Sequence, residues 1–161
     1  MDGEKLKWCR IQKRGIRLTE PSDHLARDYI ESAEESLEVL QTIPKKSKIW
    51  LATIKYYCEY FSVYALLAKL GIRCEIHDCT IELCKFLETG KLIPAEYSKM
   101  LEADKTLRLD NQYYLKNIDV EIDFLKLQDF ILTIKTKLNT ITSKEITETK
   151  ENLNRILSQR D

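Results

Sequence analysis

Turn-forming residues are scarce: the 161 residues include only 4 glycines and 3 prolines. A many-stranded sheet needs turn signals roughly every 8–12 residues, so this scarcity excludes one and favours long helices joined by short loops. An excess of charge is also missing, since 26 basic residues balance 26 acidic ones. That removes the general electrostatic footprint of a nucleic-acid-binding domain and leaves only a local patch for such contacts. The opening Met1-Asp2-Gly3-Glu4-Lys5 has no apolar run of the secretory kind, and a cytoplasmic chain is expected. The one long hydrophobic stretch, Ile49 to Leu70, carries Lys55, Glu59 and Lys69 and is rich in polar-tipped Tyr. It reads as a core helix and not as a membrane span.

Cysteine is present in an odd number, five, at positions 9, 58, 74, 79 and 84. An odd count without a secretory segment argues against a disulfide framework, and free thiols are expected. Cys74, His77, Cys79 and Cys84 are close in sequence, but they do not form the paired CxxC spacing of a zinc site. Buried free thiols acting as small hydrophobes are the simpler reading, so neither a metal nor another cofactor is expected.

What is present is helical periodicity at the size of one domain, 19.0 kDa. A basic N-terminal segment, residues 1–20, carries Lys5, Lys7, Arg10, Lys13, Arg14 and Arg17. It is expected to hold a short helix over residues 5–13, ended by Gly15, and reads either as a solvated arm or as a local basic patch. After Pro21, Ser22 or Asp23 can cap a helix from about His24 to Thr42, with Leu25, Tyr29, Ala33, Leu37 and Leu40 at helical spacing. Ser47 can cap the next helix, which ends at Leu70 before Gly71 and is apolar nearly all round, as suits a bundle centre or a subunit interface. A helix over about 78–88 follows, with Asp78 as a candidate cap. Another begins near Pro94 and runs to about Tyr114, and there Asp104 and Arg108 are placed to pair. Phe124, Leu127, Ile131, Ile134, Leu138 and Ile141 alternate in steps of three and four, the seam of a packing helix. Thr142-Ser143-Lys144-Glu145 is a capping box for a last helix. The expected fold is all-α: an up-and-down bundle of four to five long helices with an extra C-terminal helix. Its parts are residues 1–20, a bundle over 21–116, and a hairpin over 117–161 that packs on the bundle or on a partner.

The stretch over about residues 5–116 resembles a HEPN domain. The resemblance rests on Ala26-Arg27-Asp28-Tyr29-Ile30 with Ala33-Glu34-Glu35-Ser36-Leu37, and on Lys55-Tyr56-Tyr57 followed by Tyr60-Phe61-Ser62-Val63-Tyr64-Ala65-Leu66-Leu67 and Gly71. His77 and then Arg108 ahead of Asp110-Asn111-Gln112-Tyr113-Tyr114 continue it in order. The lead-in from Lys7-Trp8-Cys9 to Arg17-Leu18-Thr19-Glu20-Pro21 is similar to that of some archaeal members. The resemblance implies a bundle that dimerises, often beside a small nucleotidyltransferase that serves as antitoxin, and active relatives are metal-independent RNases. Their motif is an Arg, a short spacer and a His at the start of a helix. The segment here is Arg73-Cys74-Glu75-Ile76-His77, with a spacer one residue shorter than the family pattern.

In that reading Arg73 holds the scissile phosphate and His77 moves the proton. A His that merely packs at a helix start is the alternative. Where some toxin relatives carry an aromatic residue modified by the nucleotidyltransferase, two positions after the His, this chain has Cys79. Tyr57, on a face shared with Tyr56, Tyr60 and Tyr64, and Arg108 are the candidate nucleotide- or RNA-binding residues. The same face can equally be core and dimer surface. The rival to catalysis is therefore a homodimer that binds a nucleotide or another protein without cleaving anything.

Overall fold

The computed structural model describes residues 3–158, so the outermost ends of the expected N-terminal segment and C-terminal hairpin lie outside the described residues. Its order is α1 (Gly3–Ile11), β1 (Arg17–Leu18), α2 (Asp23–Thr42), α3 (Lys48–Leu70), β2 (Ile72–Arg73), α4 (His77–Thr89), α5 (Tyr97–Gln112), α6 (Phe124–Thr140) and α7 (Ser143–Ser158). The all-α expectation holds, with long helices α2, α3, α5, α6 and α7 and shorter α1 and α4. No helix among the described residues is long and apolar enough to cross a membrane.

Helix α3 is the axis of the fold. Its side chains Leu51, Tyr56, Cys58, Val63, Leu66, Leu67 and Leu70 are buried on several sides, because α2, α5 and α6 all pack against it. Its apolar girth is thus absorbed largely within the chain, which leaves Tyr57, Phe61 and Tyr64 half-buried along one strip. Helix α6 presents Leu127, Phe130, Ile131 and Ile134 to this core, and α7 adds Leu153 and Leu157.

Local sequence accounts for most helix ends. Ser22 accepts a hydrogen bond from the Leu25 amide at the head of α2. Thr142 and Glu145 bond reciprocally to each other's amides at the head of α7, at 3.2 and 2.8 Å. Gly71 closes α3 at φ 68°, where a Cβ would collide with the Thr19 carbonyl oxygen. The Thr19 amide in turn donates to the Gly71 carbonyl, and Arg17–Leu18 pairs antiparallel with Ile72–Arg73.

This small sheet, unmarked by any turn signal, draws the N-terminal segment onto the bundle, so that the segment is not a solvated arm. Leu6, Cys9 and Ile16 are buried, Lys5 pairs with Glu82, and Arg14 pairs with Glu75.

Four expectations need correction. Cys9 and Cys79 are joined by a disulfide that ties α1 to the first turn of α4, so three thiols and not five are free, at Cys58, Cys74 and Cys84. Cysteine spacing carries no sign of this bond, because the partners lie 70 residues apart and meet only once α1 docks. Ser47 stands at the head of α3 without a side-chain cap. Asp78 does not cap α4; it lies inside the first turn and pairs with Lys105 of α5. Helix α5 starts at Tyr97, beyond Pro94, because Glu88 of α4 reaches across to accept from the Ser98 amide at 2.6 Å and from its hydroxyl at 2.9 Å, supplying the cap from outside.

Candidate phosphate-binding site on the aromatic face of α3

His77 is the first residue of α4 and faces α3. Its Nδ1 lies 2.6 Å from the Tyr56 hydroxyl, and its ring stacks at a tilt on Tyr60 with centroids 4.6 Å apart. Burial holds the Tyr56 hydroxyl far above its ordinary value, so Tyr56 is the donor and Nδ1 the acceptor. The His77 imidazole is lowered from its ordinary value, first by burial and then by the positive charges of Arg108 and Lys105, with Asp78 opposing. The arrangement favours neutral His77 with its proton on Nε2.

Arg108 comes from α5 and is 7% exposed. Its guanidinium carbon sits 4.8 Å from the centre of the Tyr56 ring and 5.6 Å from that of Tyr57. Nη1 donates to the Tyr57 hydroxyl at 3.3 Å, while the buried Nε has no partner. The expected pair with Asp104 does not form, because Asp104 takes the Lys55 ammonium at 2.8 Å instead. A nearly buried guanidinium is therefore left without a carboxylate. Such a group is costly unless something anionic compensates it.

The aromatic strip continues away from Arg108. Tyr57 stacks on Phe61 at 5.0 Å, Tyr60 meets Tyr64 at 5.0 Å, and Tyr64 meets Tyr29 of α2 edge-on at 5.1 Å. It ends at a groove of about 740 Å³ lined by Leu25, Tyr29, Tyr64, Ala68, Ile72 and Arg73. Tyr60 is pushed up to about 12 by burial, partly offset by hydrogen bonds with Thr80 and Tyr64.

The structure therefore groups three of the four residues nominated from sequence, His77, Tyr57 and Arg108. Arg73 stands apart on the groove wall. It is in β2, side by side with Arg17 across the sheet, and its guanidinium is paired with Glu75 at 3.0 Å. The sequence placed Tyr56 on the aromatic face of α3 but gave no sign that it is the hydrogen-bond partner of His77. Sequence reasoning missed the buried Glu59, whose only signal was a charge inside an apolar helix. No group of His, Cys, Asp or Glu suited to a metal ion is found among the described residues. Compared with protein-family models, with curated proteins and with solved structures, the chain finds no match.

Proposed function

We propose that this chain is a HEPN-type bundle whose α3 face binds a phosphate-bearing ligand, a nucleotide or single-stranded RNA. Arg108 and neutral His77 contact the phosphate, and Tyr57 supports a base. The observation that carries the reading is the Arg108 guanidinium, buried and stacked on two Tyr rings with no carboxylate and with Nε unpaired. Guanidinium is the side chain best matched to phosphate oxygens, and half-buried aromatic rings suit base stacking. The His77 Nε2–H adds a second donor. The net charge of zero fits a ligand held at one site rather than along an extended duplex. Fluorescence anisotropy of a labelled single-stranded RNA oligonucleotide tests this, with Arg108→Met as the disabled variant. Binding that is lost in the variant supports the reading, and equal binding by both proteins overturns it.

Metal-independent RNA cleavage is the second reading, favoured by a neutral imidazole at a helix start, which can act as a base once Nδ1 leaves the Tyr56 hydroxyl. In it Arg73 and His77 work as a pair across a homodimer, restrained by a nucleotidyltransferase partner. Within one chain the Arg73–Glu75 ion pair and the Tyr56–His77 hydrogen bond engage the two groups separately, which favours binding without catalysis. Cleavage in EDTA that yields 2′,3′-cyclic ends and disappears in an Arg73→Ala, His77→Ala double mutant would reverse that preference. The homodimer itself is tested by light scattering, where a 19.0 kDa monomer at micromolar concentration overturns it.

A further inference from the structure

Between α3, α5 and the head of α6 lies a cavity of about 330 Å³, separate from the α3 aromatic strip. Glu59 is on its wall, 1% exposed, with no donor on either carboxyl oxygen and the Asp104 carboxylate close enough to share its proton. A buried carboxyl whose oxygens accept from no donor calls for an explanation, since buried polar groups are nearly always satisfied. The lysine four residues earlier on the same helix does not supply one, because Lys55 is bound to Asp104. Glu121 and Asp123 are exposed and line the same cavity, while Met100, Ala103 and Leu127 give it an apolar wall. The cavity thus joins a buried acid and two exposed acids across a hydrocarbon surface, with the Lys55–Asp104 pair and Lys126 also on its wall.

We propose that this cavity binds a linear aliphatic diamine. One ammonium meets Glu59, the other meets the exposed Glu121 and Asp123, and the methylenes lie on Met100, Ala103 and Leu127. A single ammonium supplies the donors that the two Glu59 oxygens lack, and the second charge answers the remaining acids. In the free protein, burial, then the Asp104 charge and a proton shared with Asp104 hold the Glu59 carboxyl well above the usual range, against the pull of Lys55 and Lys126. Glu59 then releases its proton to solvent as the ammonium arrives. The acids and amines facing it are Asp104 on α5, Lys55 on α3, and Glu121, Asp123 and Lys126 around the head of α6. The site is independent of the phosphate reading, and neither stands or falls with the other.

Isothermal titration calorimetry with 1,4-diaminobutane, in two buffers of different ionisation enthalpy, is the test, with 1,4-butanediol as the uncharged control. The diamine is expected to bind with proton release, the diol to give no heat, and Glu59→Gln to weaken binding by at least roughly tenfold. Glu121→Gln, an exposed change that leaves the fold alone, is expected to weaken it several-fold and serves if the Glu59 variant does not fold. Failure of the diamine to bind at millimolar concentration, binding without proton release, or equal affinity in whichever variant folds overturns the proposal.

Discussion

Replacing Tyr56 with Phe removes one oxygen from the centre of the candidate site and makes a prediction of definite sign. Tyr56 is fully buried, and its hydroxyl lies 2.6 Å from the His77 Nδ1. With Tyr56 as donor, the bond exists only while Nδ1 is unprotonated, so it favours neutral His77. A net hydrogen bond of this kind contributes about 1 kcal/mol, which corresponds to roughly a fivefold change in an equilibrium constant. Tyr56→Phe should therefore raise the proton affinity of His77 roughly fivefold and lower folding stability by about 1 kcal/mol. The chain has 2 His, so a proton NMR titration resolves the ring, and His24→Gln assigns it. The wild type carries a linked expectation. Because folding lowers the His77 value, stability is complete above the ordinary imidazole range and falls as pH drops through it, where the unfolded chain takes up the proton first. An unchanged or reduced proton affinity in Tyr56→Phe would mean that His77 donates to Tyr56, which would refute the tautomer argued above.

Arg108→Met removes a buried, unpaired cation and keeps much of its packing over Tyr56 and Tyr57, so urea unfolding should shift by less than about 1 kcal/mol. A loss of several kcal/mol would mean that the guanidinium is structurally compensated in the free protein. Reducing the Cys9–Cys79 bond frees a 70-residue connection, and the loop-entropy relation puts the loss at up to about 4 kcal/mol. A dithiol should lower the urea midpoint of the wild type and leave that of Cys9→Ser, Cys79→Ser unchanged. Gly71→Ala imposes a left-handed backbone on a Cβ-bearing residue and drives that Cβ into Thr19, so thermal unfolding should show a loss of at least about 2 kcal/mol. Glu145 is held down to about 2 by Lys137 and the Thr142 cap, so its contribution is present above the ordinary Glu range and fades as pH falls towards 2. Glu145→Gln should flatten the acid limb of the stability profile.

Periodicity and capping chemistry made the long helices legible. The Ser22 cap, the Gly71 stop, the α6 seam and the Thr142–Glu145 box are all local, and each can be read from a few neighbouring residues. The features that escaped are contacts between distant segments. Pairing of residues 17–18 with 72–73, the bond from Cys9 to Cys79, and the capping of α5 by Glu88 depend on elements meeting in space, and no spacing rule reports them. The site divides in the same way. His77 at a helix start and the Tyr-rich face were visible, whereas Arg108 leaving its i−4 acid for Tyr57 was decided by Lys55 reaching Asp104 from α3.

Whether Arg108 holds a phosphate can be read from NMR of its own side-chain Nε–H. That proton is buried and has no partner in the free protein. Addition of a single-stranded RNA oligonucleotide should shift the Arg108 Nε–H and His77 ring resonances together, at one saturating concentration. If the RNA binds while both resonances stay in place, the ligand sits elsewhere and the account of this site is wrong.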